Sequence, residues 1–185
     1  NIHNDLKRMN QLITDISKFT RLKAEIELEK NQYINLSSFL DEIPNIFYNN
    51  NKQIELILEK NDENFEVIAN KNKLIQVFVN LIENSISFSP QNSKILINLN
   101  KKDKNKACIK VYDQGSGINS NDSKKIFDRF YTDRHNNVKN HTGLGLSIAR
   151  EIINHMNGKL ILHKSDKTKY SGACFLIILP IKHSS

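Results

Sequence analysis

Two asparagines, one aspartate and two glycine pairs stand at spacings suited to holding a phosphorylated ligand. Asn80 and Asn84 lie four residues apart in a strongly apolar run, Leu74-Ile75-x-Val77-Phe78-x-x-Leu81-Ile82. On a helix that interval puts both carboxamides on one face, a turn apart. Carboxamides beside apolar surroundings need partners. A hard cation bound by an amide oxygen, phosphate oxygens and water would supply them, which suits Mg2+; capping or surface positions in an Asn-rich chain are the alternative. Asp113 follows a strand-like run and precedes Gly115-Ser116-Gly117. A buried carboxylate only accepts hydrogen bonds, so it matches the exocyclic amine of adenine and would repel a guanine carbonyl in that place. An aspartate closing an Asx-turn has the same local sequence.

All six glycines lie at or after Gly115, and four of them form the pairs Gly115/Gly117 and Gly143/Gly145. A chain this poor in glycine keeps it where the backbone bends sharply or meets a ligand closely. Gly117 would let a base lie against the backbone, with Phe88 and Ile118 packed on its faces. Gly143 and Gly145, at a helix start, would point N–H groups outward in a manner that favours phosphate, and Thr142 adds a hydroxyl donor. Residues Thr132–His141 form a polar, charged loop of the kind that orders over a nucleotide. Arg129 and Arg134 are in range of terminal phosphates or are solvated surface arginines. Phe127 and Phe130 anchor the base of that loop.

Several elements must position these groups. Residues 2–28 carry Ile2, Leu6, Met9, Ile13, Ile16, Phe19, Leu22 and Ile26 at steps of three and four, which predicts a long amphipathic helix. A β-like piece, Tyr33–Leu36, leads to a helix capped by Ser37 or Ser38 and running to about Tyr48, with Pro44 inside it to kink or shorten it. Strands are expected at Ile54–Glu59 and Phe65–Ile68, then the asparagine-bearing helix from Asn70 to Phe88, stopped by Pro90. Strands at Lys94–Asn100 and Ala107–Tyr112, a short helix at Ser123–Phe130, a helix from the second glycine pair to Met156 closed by Asn157-Gly158, and strands at Lys159–Lys164 and Gly172–Pro180 complete the order. Helices and strands mixed in this way predict a two-layer α/β sandwich, one mostly antiparallel sheet with helices on one face.

The 185 residues, 38% of them hydrophobic, allow one ordinary core and an extra helix. The net charge of +7 is scattered, so nucleic acid is not required, and a nucleotide fits equally well. Cys108 and Cys174 sit in apolar strand-like runs and read as buried thiols of a reducing cytosol. No apolar run approaches the roughly 20 residues of a membrane helix. The chain starts at Asn1 in mid-pattern and reads as an excised piece.

In order, the segments Asn80-Leu81-Ile82-Glu83-Asn84, Asp113-Gln114-Gly115-Ser116-Gly117, Phe127-Asp128-Arg129-Phe130 and Thr142-Gly143-Leu144-Gly145-Leu146 resemble the N, G1, F and G2 boxes of the histidine-kinase ATPase family, within the GHKL superfamily. The resemblance covers residues 33–181 and implies a Bergerat-type ATP-binding fold. It implies ATP and Mg2+ as ligands, with Asn84 holding the metal and Asn80, Asn84 and Arg129 serving the chemistry. The nucleotide pocket would comprise Asn80, Asn84, Phe88, Asp113, Gly115, Gly117, Ile118, Phe130, Thr142, Gly143, Leu144, Gly145 and Leu146. The segments Ser87–Pro90, Leu12–Ser17 and His141–Ser147 are similar to the ChvG-type envelope sensors of alphaproteobacteria. Ser87 departs from the pattern, because the family places Lys or Arg there; either Lys124, Arg129, Arg134 or Lys139 supplies that charge, or phosphate binding is weaker than usual.

Within the superfamily, enzymes that hydrolyse ATP carry a Glu one turn before the metal-binding asparagine. Asn80 stands there, and an amide is no general base. The resemblance therefore implies a kinase whose phosphoacceptor is a histidine on a helical hairpin ahead of this domain. None of the histidines here fits that role; His3 lacks the acidic and Asn-Pro context. Residues 1–30 would be the second helix of the hairpin and residues 31–185 the catalytic domain, which alone should not phosphorylate itself. The implied partners are the hairpin, through which the whole protein would form a homodimer, and a response regulator, with no nucleic acid and no membrane contact. The domain would be cytoplasmic, its parent in the bacterial inner membrane. The rival readings are a nucleotide-holding module without catalysis and an anti-sigma-factor-like serine kinase.

Overall fold

The alternating and three-and-four spacings become two layers in the computed structural model, which describes residues 30–47, 55–61, 65–119, 122–131 and 143–182 together with Leu6, Ile13 and Ser17. The first strand, β1 (Gln32–Asn35), leads straight into helix α1 (Leu36–Phe47). Leu36, Phe39, Leu40 and Ile43 bury one face of α1, and the helix continues through Pro44. Its N-terminus is capped by Asn35, whose Oδ1 accepts from the Ser38 N–H at 3.0 Å, and not by Ser37 or Ser38 as the sequence predicts. The next strands, β2 (Glu55–Lys60) and β3 (Glu66–Ala69), precede helix α2 (Lys71–Phe88). Asn70 caps α2 by accepting from Lys73 N–H. Then come β4 (Lys94–Asp103), β5 (Lys106–Tyr112), a single 3-10 turn at Lys125–Phe127, α3 (Gly145–His155), β6 (Lys159–His163) and β7 (Cys174–Pro180).

Five strands form the main sheet in the order β2-β4-β5-β7-β6, antiparallel throughout except for the parallel pair β2/β4. The remaining two, β1 and β3, pair antiparallel in a separate ribbon. The short helix expected at Ser123–Phe130 is only one turn, because Asp128 leaves helical geometry at ψ 147 once its N–H has bonded to Lys125 O. Helix α3 ends as predicted, with Asn157 at φ 55 and the Gly158 N–H returning to Ile153 O at 2.9 Å. The amphipathic helix expected over residues 2–28 lies outside the described residues, save for Leu6, Ile13 and Ser17, which are helical. Among the described residues no helix is long and apolar enough to cross a membrane.

One face of the sheet carries the core. Ile95, Ile97 and Leu99 of β4, Ala107, Ile109 and Val111 of β5, and Phe175, Ile177 and Leu179 of β7 join one cluster with the inner faces of all three helices. Phe39 and Phe78 meet there at 5.6 Å between ring centroids. At about 1.5–3 kcal/mol for each large apolar side chain buried, this cluster is the main source of stability. The opposite face holds two small clusters, Leu96/Tyr112/Tyr170/Cys174 and Cys108/Leu176/Ile178. Both thiols are buried and unbridged, and burial pushes Cys174 up to about 12.

The connection from Lys164 to Ala173 folds onto that opposite face. Asp166 accepts from Tyr112 Oη at 2.6 Å and from Lys110 Nζ at 2.7 Å, and Lys167 Nζ reaches Glu59 at 2.6 Å. Those donors, Lys110 first and Tyr112 next, hold the Asp166 carboxyl down at about 2.

Candidate nucleotide-binding site

Helix α2, the turn after β5 and the start of α3 converge on one cleft at the edge of the core. The buried stripe of α2 runs Lys73, Leu74, Val77, Phe78, Leu81, Ile82, Ser85, and Asn80 and Asn84 flank it half-buried. Asn80 faces α3: a Cβ built on Gly145 would sit 3.5 Å from Asn80 Oδ1. The Asn80 Nδ2 is buried and has no hydrogen-bond partner among the described residues. A buried amide donor without a partner costs about 1–3 kcal/mol, which a ligand acceptor would recover. Helix α3 starts at Gly145 with Leu144 as its cap residue and no side-chain hydrogen bond to its first turn. An acceptor-rich, negatively charged group fits this combination of an orphaned amide and an uncapped helix start.

The other end of the cleft is built around Asp113, which is 2% exposed. Its Oδ1 accepts two backbone N–H bonds, from Gly115 at 2.9 Å and from Ala173 at 2.8 Å. Its backbone is tied to the same stretch, Asp113 N–H to Ala173 O at 3.0 Å and Gly172 N–H to Asp113 O at 3.2 Å. Burial raises the Asp113 pKa, against the pull of the Gly115 and Ala173 N–H groups and of the Ser85 hydroxyl. The carboxylate thus stands desolvated, one oxygen held by the backbone and the second without a backbone donor among the described residues. This second oxygen can accept from an amine.

The neighbours of Asp113 are fixed as well. Tyr112 bonds to Asp166, while Gln114 donates to Lys169 O at 2.9 Å and accepts from Lys94 N–H at 2.7 Å. Gly115 lies against the C-terminal end of α2, where an added Cβ would fall 2.8 Å from Phe88 O. Gly172 is tighter still: its Cβ would be 2.0 Å from Asp113 Oδ1. Gly117 has φ 79, a left-handed conformation that glycine adopts without strain.

Of the residues picked out by sequence, the fold gathers Asn80 with Gly145, Phe88 with Gly115 and Asp113, and Phe130 with Gly143. That last pair is joined by Phe130 N–H to Gly143 O at 3.0 Å; Phe130 and Gly143 adopt φ 65 and 71, and a Cβ on Gly143 would meet Tyr131 O at 2.5 Å. Phe88 and Phe130 are 44% and 48% exposed, so both have ring surface to offer. Ile118 packs half-buried against the core. Leu144 is 2% exposed with its side chain in the core and Leu146 packs on it, so Leu144 offers a ligand little beyond its backbone. Phe127 is buried edge-on to Phe175, with the Arg150 guanidinium 5.0 Å above its ring, while Arg129 is exposed beyond the 3-10 turn. Thr142, Arg134, Lys139 and the loop Thr132–His141 lie outside the described residues. Sequence reasoning missed Ser85, Gly172 and Ala173. A serine at the α2 position where the apolar period calls for another large residue, and a glycine opening the last strand, were the available signals.

The sequence model for the histidine kinase-, DNA gyrase B- and HSP90-like ATPases matches residues 69–183. The sensor protein ChvG of Rhizobium meliloti is 32% identical over 192 residues, covering 97% of this chain and 33% of that protein. The chain therefore spans about a third of the length of this curated relative. Among solved structures, the catalytic domain of histidine kinase ThkA superposes with a TM-score of 0.70 at 28% identity, over 82% of this chain and 96% of that one. ThkA in complex with the response regulator protein TrrA gives a TM-score of 0.72 at 24% identity, over 98% of this chain and 49% of that one.

Proposed function

Because this chain belongs to the family of histidine kinase-, DNA gyrase B- and HSP90-like ATPases, we propose that it is the ATP-binding catalytic part of a two-component sensor histidine kinase. The observation that carries the reading is Asn80, its amide nitrogen buried, without a hydrogen-bond partner among the described residues and set against the first residue of α3. A carboxylate there would serve as general base toward water; an amide has no proton affinity at neutral pH and can only donate to or accept from a ligand. Transfer to an acceptor is thereby favoured over hydrolysis.

In this reading Asp113 accepts from the purine amine, Gly115 and Gly117 let the base approach the backbone, and Phe88 and Ile118 lie on its faces. Asn80 donates to phosphate, as do the N–H groups from Gly143 through Leu146 together with Thr142. Asn84 would hold Mg2+, which when bound neutralises phosphate charge. Arg129 and Phe130 would serve the terminal phosphate and the base of the covering loop. Residues 1–30 would belong to the dimerisation stem of the whole protein, whose histidine accepts the γ-phosphate for relay to a response regulator. The response-regulator complex of ThkA supports that partner by analogy of fold. The domain would then lie on the cytoplasmic side, its parent in the inner membrane.

Calorimetric titration of Asn84→Ala tests the site. Magnesium-dependent ATP binding should be lost, and an affinity equal to that of the unaltered chain would refute the assignment. Ser87, in place of a basic residue, favours a second reading in which nucleotide is held without catalysis. Phosphohistidine formed on a separately supplied stem hairpin would exclude that reading, and its absence would support it.

A further inference from the structure

Ser85 occupies the position on α2 where the apolar stripe of Leu74, Val77, Phe78, Leu81 and Ile82 would continue, and it is 0% exposed. A buried helical serine ordinarily returns its proton to the carbonyl one turn back. Here Oγ makes no hydrogen bond to any group of the described residues. A buried hydroxyl without a partner destabilises the fold, so this position holds a group that the empty protein would be better without. The Asp113 carboxylate stands by this last turn of α2, since an added Cβ on Gly115 would lie 2.8 Å from Phe88 O and 3.1 Å from Asp113 Oδ1. The Ser85 hydroxyl is near enough to favour the charged carboxylate without reaching hydrogen-bonding geometry in the empty protein. It also follows Asn84 directly, so the same turn of α2 borders both the phosphate end and the purine end of the cleft.

Resting on the nucleotide reading above, we propose that Ser85 is a specificity-determining residue of the purine pocket and receives the second hydrogen of the 6-amino group. A 6-amino group has two hydrogens and so needs two acceptors. Asp113 offers one with the oxygen that no backbone N–H engages. A serine hydroxyl both donates and accepts, so once nucleotide is bound Ser85 can direct its proton to the carboxylate, a bond it does not make in the empty protein, and keep its lone pairs for the amine. A 6-oxo purine would then confront two acceptors, and the serine could turn toward it only by abandoning the carboxylate.

Ser85→Ala tests this with two readouts that must move in opposite directions. Without nucleotide, the variant should melt at a higher temperature, because it loses a buried unpaired hydroxyl and gains a better helix former. Its ATP affinity should fall about tenfold, the usual scale for a hydrogen bond lost at a charged site. The same titration with a 6-unsubstituted purine nucleoside triphosphate should give equal affinities for the two proteins. An unchanged ATP affinity, an equal loss with both nucleotides, or a lower melting temperature of the free variant would each overturn the proposal. Failure of the unaltered chain to bind ATP at all would instead refute the functional reading on which it rests.

Discussion

The two ends of the cleft differ in how far the protein has already satisfied its own groups. At the purine end, Asp113 is held by two backbone N–H groups and flanked by two glycines whose missing side chains make room for it. At the phosphate end, among the described residues, the Asn80 amide nitrogen has no partner and α3 begins without a side-chain cap. At the first end folding already fixes the recognising carboxylate and leaves only Ser85 and one carboxylate oxygen for the ligand; at the second the ligand must supply the partner of the amide. One glycine of each end shows the same contrast, although Gly143 at the phosphate end is also closely enclosed, by Tyr131 O at 2.5 Å. At Gly172 an added Cβ would strike the protein at 2.0 Å, whereas at Gly145 it would rest 3.5 Å from Asn80 at ordinary contact distance. The fold itself requires glycine at Gly172, while at Gly145 only a ligand would.

Breaking the finished end should have the largest effect. Gly172→Ala forces a methyl group into Asp113 and must displace the segment just ahead of β7 that supplies Ala173 N–H. We expect a loss of about 1–3 kcal/mol in a thermal or denaturant melt and ATP binding too weak to titrate. Retention of native affinity would mean that this floor can shift freely and that the purine end is not preformed.

Gly145→Ala is the matching probe of the other end. Its melting temperature should hold or rise, by up to about 1 kcal/mol of helix propensity. Its ATP affinity should fall about tenfold as the methyl group fills space meant for phosphate. A loss of stability equal to that at Gly172 would erase the distinction between the two ends.

Acid should act more gently, through Asp113 at the purine end. Burial raises the Asp113 pKa, so the carboxylate takes up its proton at a higher pH than the ordinary value of about 3.9. As the pH falls through that raised value, the ionised acceptor disappears and ATP affinity should decline several-fold in titrations carried down from about pH 7 to the ordinary carboxylate range. Stability moves the other way. The penalty for a buried charge is relieved by protonation, so this group stabilises the empty domain as the pH falls toward its unfolded value. Asp166, held down at about 2, contributes stability above about pH 4 and loses it between there and 2, below the window of the test. Affinity that stays flat down to the ordinary carboxylate range would indicate that Asp113 does not meet the base.

Much of this was legible in the sequence. The apolar periods place nearly every described element within a residue or two, and the spacing of Asn80 and Asn84 assigns them to one helix edge. The groups that escaped are those joined by long-range contact. Ala173 donates to a carboxylate sixty residues earlier, and nothing in Ser-Gly-Ala-Cys announces this. The short helix expected at Ser123–Phe130 failed for a local reason, since Asp128 turns extended after one turn. The cap of α1 fell to Asn35 because its side chain, not those of the two serines after it, reaches the first free N–H.

The connection on the back of the sheet grips three consecutive residues, Tyr112 through Asp166, Asp113 through Gly172 and Ala173, and Gln114 through Lys169. Exposed hairpin connections normally absorb insertions, and protein engineers use them for epitope tags and fused reporters. This one behaves as a measured spacer: an extra residue between Asp166 and Ala173 would throw the three grips out of phase. Tags belong elsewhere, and length variation at this connection should go with altered preference among nucleotide bases.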